Sequence, residues 1–322
     1  MKILVIRLTA MGDIILLTGP LRELKKQRPD YEVHLLTTEL GQELLSGSSD
    51  IDSFHILPDG AGLFQTLKLF SSLGSYDFIF DLQGKAKTQL SRFILSGAFK
   101  TINKQNKERR AFVKKRLFRE TLTDHVVQKY FSPLALYLEL ETPWIEELRP
   151  KLMANPLIFN KQDFDFTKAF AIHPYASQKN KEWPWAEDLI RELDNDGQPV
   201  VIIGQSQDPL TVELKNGINL TNKTSPREMI ALIQACKGLL STDSGPMHIG
   251  IAVNKPVIAL FGPTTREFGF APQFDNCTIL ENISLDCRPC HVHGGNQCPL
   301  LHHNCMKDIS MEQVKGALEK IT

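Results

Sequence analysis

The sequence predicts an α/β protein built from two doubly wound domains. Its 322 residues correspond to two domains at roughly 150 residues each. Short apolar runs alternate with longer amphipathic stretches, which is typical of βαβ units and parallel sheets. This alternation occurs in both halves of the chain. The predicted strands are residues 2–7, 32–38, 53–57 and 76–81 in the first half, and residues 169–173, 199–204, 238–242 and 256–261 in the second.

Helices are predicted between these strands, and an irregular connection between the halves. The predicted helices are residues 14–28, 62–73, 185–193, 226–236, 244–253 and 311–321. Pro20 lies inside the first one and predicts a kink or a late start. Residues 139–168 have no clear period and contain Pro143, Pro150 and Pro156. We therefore predict an N-terminal domain over residues 1–150, a C-terminal domain over 166–309, and a final helix over 310–322 that could return to the first domain.

The composition excludes several classes of protein. Hydrophobic residues make up 42% and charged residues 23%, which argues against disorder, a collagen-like chain and a small disulfide scaffold. Lys and Arg total 37, as do Asp and Glu, so a globally basic nucleic-acid binder is not expected. The N-terminus begins like a signal peptide, but Arg7 and Asp13 interrupt the apolar stretch. We predict a buried first strand and a cytoplasmic protein.

The loop after the first strand offers one glycine and one carboxylate. Gly12 stands alone, so neither G-x-G-x-x-G nor a Gly-Lys-Ser/Thr loop is present. Asp13 has two compatible interpretations. It can cap the following helix, whose positive end favours an acid, or it can accept a proton from a hydroxyl at the carboxyl edge of the sheet.

Three further loops follow predicted strands of the second half. Asp243, Ser244 and Gly245 lead into a helix whose free N–H groups suit a diphosphate, although an ordinary helix cap has the same pattern. Residues 261–265 form a second turn after the next strand. Lys179 and Lys181 follow His173, and Lys181 could neutralise a phosphate; the alternative is two solvated loop lysines.

A basic segment spans residues 85–119, with twelve cations against the single acid Glu108. Interspersed apolar residues make it suited to an anionic lipid surface, while a solvated helix face is the commoner outcome for a charge run. We see no nucleic-acid motif in it. Its cations are Lys85, Lys87, Arg92, Lys100, Lys104, Lys107, Arg109, Arg110, Lys114, Lys115, Arg116 and Arg119.

Four cysteines crowd into residues 287–305, with histidines between them. Cys287, Cys290, Cys298 and Cys305 form the ligand inventory of a structural zinc site, with the C-x2-C pair as its strongest part. The alternatives are reduced thiols packed in a loop, or disulfides, which the cytoplasm disfavours.

Taken together in this order, the motifs resemble those of glycosyltransferase family 9, the ADP-heptose:lipopolysaccharide heptosyltransferases. The matching stretches are RLTAMGDIILLTGPLR from residue 7, HPYASQKNKEWP from 173, STDSGPMHIGIA from 241, LFGPT from 260 and CRPCHVHGGNQCP from 287. The resemblance implies a GT-B fold, in which two Rossmann-like domains face each other across a cleft. It also implies an inverting, metal-independent transfer of heptose from a nucleotide donor to a lipopolysaccharide-core or lipid A-type acceptor.

The resemblance also implies residue roles. Asp13 falls on the general base and Lys181 on the diphosphate-binding lysine. Asp243, Ser244, Gly245 and His248 fall on the donor-binding turn, Thr264 lies on a further donor loop, and Asp208 is near the ribose-binding acid. The expected partners are the donor, the acceptor and the anionic inner-membrane surface. The cations expected to contact the acceptor or this surface are Lys85, Lys87, Arg109, Arg110, Lys114, Lys115 and Arg116. A sugar-nucleotide epimerase and a non-catalytic nucleotide- or lipid-binding protein are the alternatives.

Overall fold

The computed structural model describes residues 1–116, 122, 124–154 and 164–321, and it divides into two compact units. The first unit comprises Met1–Gln105 and His125–Met153; the second comprises Asn106–Asp124 and Ala154–Thr322. Residues 106–124 therefore belong to the second unit, although they fall inside the predicted N-terminal domain. Arg119 of the basic segment and Pro156 of the predicted connection lie outside the described residues.

The first unit is built on a five-stranded parallel sheet. Its strand order is β3-β2-β1-β4-β5, so β1 is central. The apolar run of β1 is almost wholly buried, as expected for a parallel strand covered by helices on both faces. The strands are β1 (Lys2–Ile6), β2 (Glu32–Thr37), β3 (Ser53–Ile56), β4 (Phe78–Asp81) and β5 (Ala98–Thr101).

Five helices belong to this unit: α1 (Met11–Gln27), α2 (Glu39–Leu45), α3 (Leu63–Ser72), α4 (Ala86–Gln89) and α6 (Val126–Leu138). The helix between the last two, α5 (Asn106–Lys115), belongs to the second unit. Helix α1 runs through Pro20 without ending and starts three residues earlier than predicted. Strand β5 and helix α6 were not predicted from the sequence.

The second unit is built on a six-stranded parallel sheet with the order β11-β10-β9-β6-β7-β8. Three adjacent central strands, β10, β9 and β6, are the ones followed by the predicted donor-site loops. The prediction of two α/β units with parallel sheets is confirmed. The strands are β6 (Phe170–His173), β7 (Val200–Ile202), β8 (Ile218–Asn219), β9 (Gly238–Thr242), β10 (Val257–Phe261) and β11 (Cys277–Glu281).

The remaining helices are α7 (Ala186–Asn195), α8 (Pro226–Ala235), α9 (Gly245–Ala252), α10 (Asn304–Lys307) and α11 (Met311–Glu319). Helix α11 places Val314 and Leu318 in the core of the second unit, and Lys315 forms an ion pair with Glu192 of α7. The C-terminal helix therefore packs as part of the second unit. In the ranges that could be described, no helix is both long and apolar enough to span a membrane.

Gly19 lets α1 approach the chain segment at Leu148. A Cβ atom on Gly19 would lie 1.9 Å from the Leu148 carbonyl oxygen, which is backbone and cannot rotate away. We expect Gly19→Ala to lower the free energy of unfolding by about 1–3 kcal/mol through this overlap. Gly316→Ala in α11 is the control: a Cβ there meets no atom within 4 Å, and the better helix propensity should stabilise by up to about 1 kcal/mol. Urea unfolding followed by far-UV circular dichroism measures both; equal effects would contradict the packing argument.

Candidate active site

The loop after β1 is held in place by Gln83, which follows the neighbouring strand β4. The Gln83 side-chain oxygen accepts from the backbone N–H groups of Leu8 and Thr9, both at 3.0 Å. Its amide nitrogen donates to the Thr9 hydroxyl at 3.2 Å. Because β1 and β4 are parallel neighbours, their carboxyl ends lie at the same edge of the sheet. Helix α1 begins at this edge, with Asp13 in its first turn.

Asp13 is held by two side chains. Its Oδ2 lies 2.6 Å from Nη2 of Arg7, a guanidinium that is only 3% exposed. Its Oδ1 accepts a short hydrogen bond from the Tyr130 hydroxyl, which comes from α6. The backbone N–H of Ala10, the N-cap residue of α1, is 3.4 Å from Oδ2. Both interpretations of Asp13 are thus compatible with its position: it serves the helix start and remains partly exposed at the strand edge.

Arg7 itself is fixed within the first unit. Its Nη1 donates to the Leu82 carbonyl at 2.5 Å, and its guanidinium carbon lies 5.2 Å from the centre of the Tyr130 ring. Lys104 lies in the same positive environment. Burial first, and then the charge of Arg7, lower the pKa of Lys104 to about 8. The sequence marked Lys104 only as one cation of the basic segment, and it gave no sign of Tyr130.

In the second unit, Asp243 joins the loops that follow three adjacent strands. Lys181 Nζ, beyond β6, lies 2.7 Å from Asp243 Oδ2. The hydroxyl of Thr264, beyond β10, donates to the same oxygen at 2.7 Å. The structure therefore gathers three of the residues that sequence reasoning selected for the donor site.

The Asp243 carboxylate is stabilised in its ionised form. Burial would raise its pKa, but the charge of Lys181, its hydrogen bond and that of Thr264 hold the pKa below the ordinary value. An ammonium group has three N–H donors, and Asp243 accounts for one of them. The Lys181 side chain can therefore bind a phosphate oxygen while it stays paired with Asp243.

Helix α9 begins directly after Asp243, with Ser244 as its N-cap residue. The Ser244 side chain does not cap the helix; its hydroxyl instead lies 3.2 Å from Nδ1 of His173 and 3.2 Å from the Ser241 hydroxyl. The N–H groups of the first helical turn thus have no side-chain cap and are suited to an anion. His248 is buried in the same helix, 5% exposed.

The cysteine-rich segment, residues 287–305, supports Lys181 from one side. Asn180 donates its N–H to the Gly295 carbonyl at 3.0 Å and accepts from the Gly295 N–H at 2.8 Å. Gly294 has φ +87°, and a Cβ there would lie 2.8 Å from Cδ of Lys181. His303 contacts the Asn180 carbonyl at 2.8 Å. The glycine pair in HVHGGNQC was the only sequence signal for this contact.

The same segment also holds the loop that carries Thr264, through Arg288. This buried guanidinium donates to the carbonyls of Gly262 at 2.5 Å and Thr264 at 3.0 Å. It also pairs with Glu281, the last residue of β11, at 2.8 Å. Arg288 lies between Cys287 and Cys290, where sequence reasoning attended to the thiols and missed the arginine.

The four clustered thiols are the predicted ligands of a structural zinc ion. All six cysteines of the chain are free, so the disulfide alternative is wrong for this structure. Burial first, and then the neighbouring thiols, raise the pKa values of Cys290 and Cys305. Yet no three His, Cys, Asp or Glu side chains group as metal ligands anywhere in the described ranges. The zinc site stays a prediction that this side-chain placement does not fit.

The cations of the basic segment are divided between the two units. Lys85 and Lys87 lie in the first unit, whereas α5 lies in the second. Arg109 is buried there, donating to the Phe268 carbonyl at 2.9 Å, and Arg116 donates to the Pro289 carbonyl. The prediction that Arg109 lies on an anion-binding surface is therefore wrong. Arg110, Lys114 and Lys115 are exposed, as is Asp208 in the loop after β7.

His173 makes the second unit sensitive to acid. Complete burial lowers its pKa to about 4 from the ordinary 6.5, so the unfolded chain binds a proton more readily than the folded one between these values. Stability is complete above pH 6.5 and is lost as the pH falls toward 4. We expect a loss of about 2 kcal/mol between about pH 7.5 and pH 5 that His173→Gln does not show. Urea unfolding of both proteins at both pH values measures this difference, and identical losses would refute it.

Comparison with known proteins assigns this chain to a family. Residues 66–300 match glycosyltransferase family 9 (heptosyltransferase). The chain is 28% identical to lipopolysaccharide heptosyltransferase 1 of Campylobacter coli, over 82% of this chain and 84% of that protein. It is 27% identical to lipooligosaccharide heptosyltransferase 2 of Haemophilus influenzae, over 100% and 98%.

The fold agrees with a solved member of this group. The structure of Escherichia coli ADP-heptose lipopolysaccharide heptosyltransferase II superposes with a TM-score of 0.74 at 21% identity, covering 100% of this chain and 98% of that one. The predicted GT-B class, with two Rossmann-like units, is confirmed. The family match spans most of the chain and includes the Lys181, Asp243 and Thr264 loops, so this protein belongs to glycosyltransferase family 9, the heptosyltransferases.

Proposed function

We propose that this protein transfers heptose from ADP-heptose to a lipopolysaccharide inner-core acceptor, with inversion at the anomeric carbon and without a catalytic metal. The observation that carries the proposal is the convergence of Lys181, Asp243 and Thr264 beside the uncapped start of α9. Family membership supports the sugar, and the names of the relatives support the donor and the acceptor.

In this proposal the second unit binds the donor. The diphosphate accepts hydrogen bonds from the first N–H groups of α9, at Ser244 and Gly245, and from the free N–H donors of Lys181. Gly245 has no side chain that would keep a phosphate from those amides. As the bond between the anomeric carbon and the phosphate oxygen breaks, negative charge grows on the leaving ADP, and these fixed donors stabilise it. His248 and Asp208 remain candidates for contacts with the rest of the donor.

The first unit supplies the base. An acceptor hydroxyl oxygen bonds to the anomeric carbon from the face opposite the diphosphate, ADP leaves with the electron pair of the broken bond, and Asp13 takes the hydroxyl proton. One displacement of this kind inverts the configuration. Arg7 and Tyr130 orient the carboxylate; Oδ2 accepts from Arg7 and the Ala10 N–H, whereas Oδ1 accepts from Tyr130 and retains a lone pair for the incoming proton.

The acceptor is proposed to be an anionic lipid-linked saccharide at the inner membrane, to which the protein binds peripherally from the cytoplasm. Lys85 of the first unit is exposed beside the β1 loop, with Nζ 3.5 Å from the Thr9 hydroxyl. Its charge is placed to contact acceptor phosphates or carboxylates. Arg110, Lys114 and Lys115 are exposed cations of the second unit that remain available for the same anionic surface.

Replacing Asp13 by Asn tests the proposed base. The amide keeps the shape of the side chain but cannot take a proton, so we expect heptose transfer to fall by about 10²–10⁴-fold with little change in ADP affinity. Tyr130→Phe removes one orienting hydrogen bond and should cause a smaller loss. Release of ADP from ADP-heptose with a truncated-core acceptor, and calorimetric titration with ADP, measure the two properties. Wild-type turnover of Asp13→Asn would remove Asp13 from the chemistry.

Two adjacent glycines test the placement of Lys181. A Cβ on Gly294 would meet the Lys181 side chain at 2.8 Å, whereas one on Gly295 would find its nearest neighbour at 3.7 Å. We expect Gly294→Ala to displace Lys181 and weaken ADP binding by about tenfold, the equivalent of one charge-assisted hydrogen bond. Gly295→Ala is the matched control and should bind ADP like the wild type. Equal affinities of both variants would contradict a role of this segment in placing Lys181.

A further inference from the structure

Four large apolar side chains are exposed on neighbouring elements of the first unit. Leu63 and Phe64 open α3 and are 57% and 79% exposed. Phe93 and Ile94 lie at the end of the short helical turn Leu90–Phe93 and are 80% and 37% exposed. Helix α3 packs against that turn, and the Lys87 ammonium donates to the Ala61 carbonyl just before α3. We call these four residues the apolar rim.

The apolar rim lies among cations. Lys68, one turn beyond Phe64 in α3, is exposed, and so is Arg92, whose guanidinium carbon lies 5.5 Å from the centre of the Phe93 ring. Between residues 61 and 104 the chain has six Lys or Arg and only two acids. One acid, Asp81, is buried and bonded to backbone, and the other, Asp77, accepts from the Lys2 backbone N–H. Helix α3 and the turn Leu90–Phe93 thus carry Lys68 and Arg92 but no acid, and the exposed acids nearest to them in the chain are Asp59 and Asp77.

An anionic lipid surface fits this combination of apolar and cationic side chains better than a second copy of this chain does. Exposed aromatic and aliphatic side chains enter the boundary between headgroups and acyl chains, while lysine and arginine contact anionic headgroups. A second copy of this chain bound symmetrically through the rim would bring like cations against each other. Trp144, 84% exposed, lacks this charge, because it is flanked by Glu141, Glu146 and Glu147.

We propose that the apolar rim, Leu63, Phe64, Phe93 and Ile94, inserts into the anionic membrane that carries the acceptor, with Lys68 and Arg92 on its headgroups. The inference rests on the proposed function, because it assumes an acceptor embedded in that membrane. It assigns the apolar part of membrane binding to α3 and the turn Leu90–Phe93, whereas the sequence suggested the cations of residues 85–119.

The test is sedimentation of the full-length protein with vesicles of phosphatidylcholine, with and without phosphatidylglycerol. We expect the wild type to bind the anionic vesicles, and Phe64→Ser/Phe93→Ser to bind them about tenfold or more weakly, since two aromatic side chains no longer leave water. Trp144→Ser is the matched control and should bind like the wild type. Lys68→Gln/Arg92→Gln should weaken binding and reduce its dependence on salt.

Heptose transfer separates a failure of this inference from a failure of the proposed function. Phe64→Ser/Phe93→Ser should transfer heptose normally to a delipidated core oligosaccharide and lose transfer to the same core presented in anionic vesicles. No transfer by the wild type to either acceptor would overturn the proposed function. Three results would overturn the membrane assignment. They are normal transfer by Phe64→Ser/Phe93→Ser to both acceptors, equal vesicle binding by this variant and Trp144→Ser, and dimers in sedimentation velocity that depend on the rim.

Discussion

One buried carboxylate, Asp243, organises the second unit around its candidate donor site. Burying a charge is strongly unfavourable unless it is paired and hydrogen-bonded, so the chain must bring Lys181 and Thr264 to it. These three residues follow β6, β9 and β10, which are neighbours in the sheet, and one ion pair thereby fixes the relative positions of three loops. The geometry of this candidate site then follows from the stability of the fold.

The positions of Lys181, Asp243 and Thr264 could be predicted because the apolar runs in the sequence show where the preceding strands end. All eight predicted strands occur in the structure. The loops that follow parallel neighbouring strands lie at the same edge of the sheet. The residues that hold these loops in place were not predictable in the same way. Arg288 and Gly294 come from a segment without any period, and Tyr130 reaches Asp13 across 117 residues of chain. Strand β5 and helix α6 were missed because β5 is short and half-exposed, and α6 contains Pro133 in its interior.

The basic segment shows why local charge in a sequence does not define a surface. Its cations are close in the chain, but Lys85 and Lys87 belong to the first unit and α5 belongs to the second. Arg109 is buried against the Phe268 carbonyl and lies 5.4 Å from the Phe270 ring centre, where its guanidinium serves packing. Periodicity could not reveal this, because an arginine that caps a carbonyl inside a unit and one that faces solvent occur in the same kind of amphipathic helix. Exposure has to be known before charge can be interpreted as a binding surface.

The arrangement around Asp13 requires that departure of the leaving group and removal of the proton be coupled in the proposed reaction. A carboxylate is a weak base toward a sugar hydroxyl, whose proton becomes acidic only as its oxygen bonds to the anomeric carbon. That bond forms only as the diphosphate leaves, and the charge of the diphosphate is stabilised by donors of the second unit. Arg7 and Tyr130 thus serve to orient the carboxylate, and orientation is sufficient when the donors of the second unit stabilise the leaving group. A stronger, less constrained base would gain little, since the hydroxyl has no acidic proton to give before the anomeric bond begins to break.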